Sequence, residues 1–77
     1  MKTKEFAGKL YKLGYSLHTS SSDSLILKGQ DAMCLISETR ANIVHFRIGT
    51  TMGSQELDLV NEYAKTPIDM RNYKEFR

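Results

Sequence analysis

Apolar residues recur along this chain with two different periods, and the switches between them mark the elements. At the front, Phe6, Leu10 and Leu13 recur at i, i+4 and i+7 with Ala7 beside them, which is one face of an α-helix, and Thr3 stands where an N-cap belongs. Lys12-Leu13-Gly14-Tyr15 should end that helix, with Gly14 in the left-handed position and Tyr15 supplying the apolar contact that accompanies such an ending. The period then drops to two. Residues 15–18, 24–28, 32–37 and 43–48 read as strands, separated by turn-forming stretches at 19–23, 28–31 and 38–42. In the last strand Val44, Phe46 and Ile48 share one face, and Ile43, His45 and Arg47 the other. Helical spacing returns from Ser54, where Leu57, Leu59, Val60, Tyr63 and Ala64 line one side and Asp58, Asn61, Glu62 and Lys65 the other. Pro67 should stop this helix near Lys65 by excluding the residue before it from the α region. Thr66-Pro67-Ile68-Asp69 then reads as a second start, with a threonine cap, a proline in the first turn and a carboxylate reaching back.

The predicted order is helix, three or four antiparallel strands, helix: an α+β fold (αβββα or αββββα) with a meander sheet and both helices on one face. Residues 1–77 form one domain in this reading, with 66–77 a short terminal helical turn or a frayed tail. The second and third strands, Leu-Ile-Leu and Met-Cys-Leu-Ile, alternate less cleanly than a sheet wet on one side should. Ile26, and either Met33 with Leu35 or Cys34 with Ile36, are therefore expected to point away from the helices. Together with Ile43 they would make an apolar patch of the kind that marks a dimer or partner surface.

Composition narrows the setting. The chain is 40% hydrophobic and 26% charged, with no apolar run long enough to span a membrane. Met1-Lys-Thr-Lys-Glu leads into an amphipathic pattern and not into the apolar core of a signal peptide. The one cysteine, Cys34, cannot form an internal disulfide, so a reducing cytoplasmic setting is expected and Cys34 reads as a small buried hydrophobe. A net charge of +2 is too small to indicate nucleic acid. Its distribution is more telling: Lys2, Lys4, Lys9 and Lys12 outnumber Glu5 on the first helix, while Glu56, Asp58 and Glu62 outnumber Lys65 on the last. Opposite signs on two helices over one sheet favour their adjacency.

Candidates for catalysis are few. His18 and His45 lie on separate strands without the cysteine or carboxylate spacing of a zinc site, although two histidines on neighbouring strands can approach. Asp23, Asp31 and Glu38 fall in turns, where solvated carboxylates are ordinary. The serines at 20–22 read as a hairpin tip, and Gly49-Thr-Thr-Met-Gly53 lacks the further glycine and lysine of a phosphate loop. No enzymatic activity, metal or cofactor is expected from this set.

The element order resembles that of the double-stranded RNA-binding domain, but where that family places lysines at the start of its second helix this chain has Gln55, Glu56 and Asp58. Leu13-Gly14-Tyr15 resembles the end of the first helix in HicA-type toxins, whose catalytic Gly-Ser-His element is here replaced by Ser22-Asp23-Ser24. A resemblance over nearly the whole chain is carried by residues 9–15 at the front and by Glu62-Tyr63-Ala64-Lys65-Thr66-Pro67 with Arg71 at the back. It is to small proteins of phages and prophages of Gram-positive bacteria, a group that implies no specific activity. The expectation is a non-enzymatic accessory protein of the bacterial cytoplasm that binds a host or defence protein, or a second copy of itself. Its binding residues would be Ile26, Ile43, His45 and Arg47 on the open sheet face, or Glu56, Asp58 and Glu62 on the acidic helix, where carboxylates could imitate phosphates. The alternative is a weak nucleic-acid binder using Lys2, Lys9, Lys12, Arg47, Arg71, Lys74 and Arg77, with Tyr73 and Phe76 for stacking.

Overall fold

The computed structural model describes residues 1–76. Its elements are α1 (Thr3–Lys12), β1 (Ser16–Thr19), β2 (Asp23–Lys28), β3 (Asp31–Ser37), β4 (Val44–Phe46), α2 (Ser54–Lys65), a 3-10 turn (Ile68–Met70) and α3 (Tyr73–Phe76). The strands form one antiparallel sheet in the order β1-β2-β3-β4, each hairpin neighbour pairing with the next as a meander requires. Phe6 and Leu10 of α1 and Leu59, Val60, Tyr63 and Ala64 of α2 meet Ile26, Cys34 and Ile36 of the sheet in one buried cluster, so both helices cover the same face. The fold is α+β, as the two periods predict.

The helix boundaries follow from local chemistry. Gly14 adopts φ +90°, its N–H donates to the Tyr11 carbonyl and the Tyr15 N–H to the Leu10 carbonyl, the paired reversal that closes a helix on a left-handed residue. At the other end Lys2 is the N-cap residue and makes no side-chain cap. Thr3, expected to cap, instead lies inside the first turn, fully buried, with its hydroxyl 2.6 Å from the Tyr63 hydroxyl. The second expected cap is also differently employed. α2 does stop at Lys65, but the Thr66 hydroxyl donates to the Glu62 carbonyl and accepts from the Met1 amino group, leaving the 3-10 turn without a side-chain cap.

Strand register corrects the reading of the sheet faces. Ile26 pairs with Cys34 but Leu27 with Ala32, so Met33 is the extra residue of a β-bulge. The bulge buries two consecutive side chains, Met33 and Cys34, on the core side. That accounts for the unbroken Met-Cys run without placing either side chain on the outer face. Ile26 and Ile36, also on the helix side, are completely buried, so Ile26 is a core residue and not part of an outward patch. β4 is likewise shorter than the pattern implies. After Phe46 the Thr50 N–H and hydroxyl both bond the Arg47 carbonyl, and with Gly49 at φ +86° they turn the chain out of the sheet, leaving Ile48 99% exposed.

The described part of the tail packs back on the domain. Arg71 is fully buried and Tyr73 nearly so. The Tyr73 hydroxyl donates to the Ser20 and Asp23 carbonyls, so the serine-rich hairpin tip is tied to α3.

Candidate functional site

The densest group of polar side chains lies inside the protein. Glu38, placed by the β3–β4 turn, is only 3% exposed. Its carboxylate accepts from the Ser24 hydroxyl at 2.5 Å, from the Tyr63 hydroxyl at 2.8 and 2.9 Å and from Arg71 Nη1 at 2.9 Å. Arg71 also donates from Nη1 to the Ser37 carbonyl, from Nη2 to the Ala64 carbonyl and from Nε to the Thr66 carbonyl, at 2.8, 2.9 and 2.8 Å. Since the single Tyr63 hydroxyl proton is directed at Glu38, the Thr3 hydroxyl must be the donor in its contact with Tyr63. The Tyr63 ring stacks on Phe6 with centroids 4.1 Å apart, and the guanidinium carbon of Arg71 lies 4.7 Å from the Tyr63 centroid. Burial pushes the Tyr63 hydroxyl well above the ordinary tyrosine range, and the Glu38 carboxylate adds to that rise.

Chemically this cluster is a closed structural lock. Among the described residues no buried side-chain nitrogen or oxygen lacks a partner. Ser24 is fully buried, with its hydroxyl committed to Glu38, so it presents no nucleophile to a substrate. Glu38 is thus no solvated turn carboxylate. With Arg71 it is a buried ion pair that ties the β3–β4 turn to α2 and the tail. Sequence inspection misses it because nothing in the spacing of Ser24, Glu38, Tyr63 and Arg71 signals that four distant positions converge.

The residues expected to bind a partner fall into three places. Ile26 is in the core. On α2, Glu56 folds back over Gly53 at the helix start, where a carboxylate is favoured by the helix dipole. Asp58 and Glu62 line a groove of about 300 Å³ opposite Lys9 and Lys12 of α1, so the two charged faces do meet. The remaining three belong to the outer side of the sheet. There the register sets His18 opposite Leu25, Leu25 opposite Leu35, and Leu35 opposite His45, a continuous row across all four strands. Leu27 extends it along β2, and Ile43 lies half-buried just before β4. Leu25, Ala32, Leu35, His45 and Arg47 border a shallow, mainly apolar depression of about 240 Å³.

The row also settles the histidines. They stand on opposite edge strands with two strands between, roughly 14 Å apart at the usual strand spacing, too far to share a metal ion. Among the described residues no group of three or more His, Cys, Asp or Glu side chains is placed to hold a metal. Nor is any described helix long and apolar enough to cross a membrane. Cys34 is buried at the bulge, and burial raises its thiol to about 11. No known protein family, curated protein or solved structure matches the chain.

Proposed function

We propose that this chain is a small, non-enzymatic accessory protein of phage or prophage type that acts in the bacterial cytoplasm by holding another protein against the outer face of its sheet. The observation that carries this reading is the row His18, Leu25, Leu35, His45, flanked by Leu27 and Arg47. Leucines framed by polar side chains on a preformed sheet are the makeup of an interface centre and rim. Both substantial helices pack on the opposite face, leaving this one open toward a partner. A host or defence component of the bacterial cell is the partner class that the phage-like ends support.

The nucleic-acid alternative loses its strongest residues, since Arg71 and Tyr73 are buried in the lock and the tail contact. Arg77 lies outside the described residues. What remains is Lys2, Lys9, Lys12, Arg47 and Lys74, with Phe76 for stacking, and Lys9 is paired with Glu5 at 3.1 Å.

Capture from a Gram-positive lysate by the tagged protein, with and without nuclease and at low and moderate salt, separates the two. The proposal predicts a stoichiometric protein that persists under every condition. Material lost on nuclease treatment or with rising salt contradicts it, because phosphate contacts weaken steeply with ionic strength.

A further inference from the structure

We infer that the free edge of β4, together with the groove between that edge and α2, takes up an extended peptide segment of a protein partner as a fifth strand, with an acidic side chain of the segment facing Lys65. This inference rests on the reading of the chain as a protein-binding module and adds a second contact surface, at the sheet edge, to the outer face.

Backbone geometry leads to it. The Arg47 N–H donates to the Met33 carbonyl and the Ser37 N–H to the Ile43 carbonyl, so these are the hydrogen-bonded pairs of the β3–β4 ladder, and the pair between them, Leu35 with His45, is of the same kind. Val44 and Phe46 therefore turn their N–H and C=O groups to the open side. β4 is an edge strand, and in Val44-His45-Phe46 it carries none of the lysines, prolines or bulges that commonly guard an edge. Two donors and two acceptors at strand spacing are the recognition element for another strand.

Side chains supply the specificity. A groove of about 340 Å³ runs beside this edge, lined by Asn42, Val44 and Phe46 on the sheet side and by Asn61, Ala64 and Lys65 on α2. Phe46 is 46% exposed and Val44 half-buried, an apolar floor for alternate side chains of an added strand. Lys65 is the one charged residue of the lining and has no ion-pair partner among the described residues. The Asn42 N–H bonds the Ala64 carbonyl, which fixes the turn before β4 against the end of α2 and holds the groove open without the ligand. The fitting occupant is an extended segment with an apolar residue over Val44 and Phe46 and a carboxylate at Lys65.

The test is selection from a displayed library of random linear peptides, followed by titration of an enriched synthetic peptide into the intact protein with amide exchange read by NMR. Enriched peptides should share an apolar residue and an acidic one, and the Val44 and Phe46 amides, open in the free protein, should become protected on binding. Val44→Pro removes an outward donor, which an edge strand tolerates, together with the Val44 side chain of the groove floor, and should weaken binding about tenfold. Lys65→Glu should weaken acidic peptides by about as much. N-methylation of alternate peptide residues should abolish binding in one phase and spare it in the other, a result that does not depend on any protein variant folding. Three outcomes overturn the inference: no enrichment, indifference to both backbone tests, or edge amides already protected in a concentration-dependent way, which would assign the edge to a second copy. Peptides that bind Val44→Pro normally but lose affinity when Leu25 and Leu35 are replaced also overturn it, while leaving the outer-face reading standing.

Discussion

Arg71 carries a full charge into the interior, and it is tolerated there because one carboxylate and three carbonyls accept its protons. Removing one partner of such a pair leaves the other charged, buried and unpaired. Arg71→Ala should therefore destabilise the fold by about 3–5 kcal/mol, a large part of the roughly 4–12 kcal/mol a chain of this length possesses. Glu38→Leu combined with Arg71→Met removes both charges and should be far less damaging than either single change. Urea unfolding of Arg71→Ala, of Glu38→Leu and Arg71→Met singly, and of the double variant checks this; a double variant no better than the single ones would argue against a mutually dependent pair. Two other residues give the protein an alkaline limit. Cys34, raised to about 11, and Tyr63, raised further, hold their protons more tightly folded than unfolded. For acids with raised folded pKa values, stability is complete below the unfolded value and is lost as pH rises through the folded one. Stability should thus decline from about pH 9 upward, at roughly 1.4 kcal/mol per pH unit for each group titrating. Melting curves from pH 8 to pH 11 should show the decline, and Cys34 should resist alkylation at pH 8 until the protein is unfolded.

Among the elements, the ends of α1 and α2 show how differently local and distant signals read. Gly14 was legible because helix ending is local: the cap needs a positive φ at one position, and Leu13-Gly14-Tyr15 supplies it. A Cβ added at Gly14 meets nothing within 4 Å, so replacing this residue costs backbone conformation alone. Gly14→Val should lose about 1–3 kcal/mol by thermal unfolding, and Gly14→Asn clearly less, because asparagine enters the left-handed region more readily. Equal losses would place the cause in packing. Thr3 and Thr66, by contrast, have the local signature of caps yet serve Tyr63, Glu62 and Met1. Local propensity is overridden where a tertiary partner satisfies the hydroxyl more completely. β3 misled in the same manner: a bulge shifts the side-chain phase by one residue, and Met33-Cys34 reads as a two-faced strand when both residues point to one core.

At the scale of the molecule, the tail motif that dominates the sequence and the surface proposed for function are separate. Tyr63, Ala64, Thr66 and Arg71 are bound up in the lock, which gives the tail motif a structural reason for its form. The meander and the helix-covered face were legible from periodicity, since each strand and stripe declares its own phase. The composition of the outer face was not, because it depends on a register set by the bulge. His45 and Arg47 were anticipated there, and Leu35 as one of two alternatives, whereas Leu25 and Leu27 took their place beside them only once Ile26 was assigned to the core. The most direct test of the whole account replaces Leu25→Lys and Leu35→Glu together. These residues are cross-strand partners, so the new side chains form an opposite-charge pair and the sheet is retained. Affinity capture by this variant beside the wild-type protein, with circular dichroism to confirm folding, should show an intact fold that no longer retains the partner. A folded variant that captures the same protein in the same amount would contradict the outer sheet face as the binding surface.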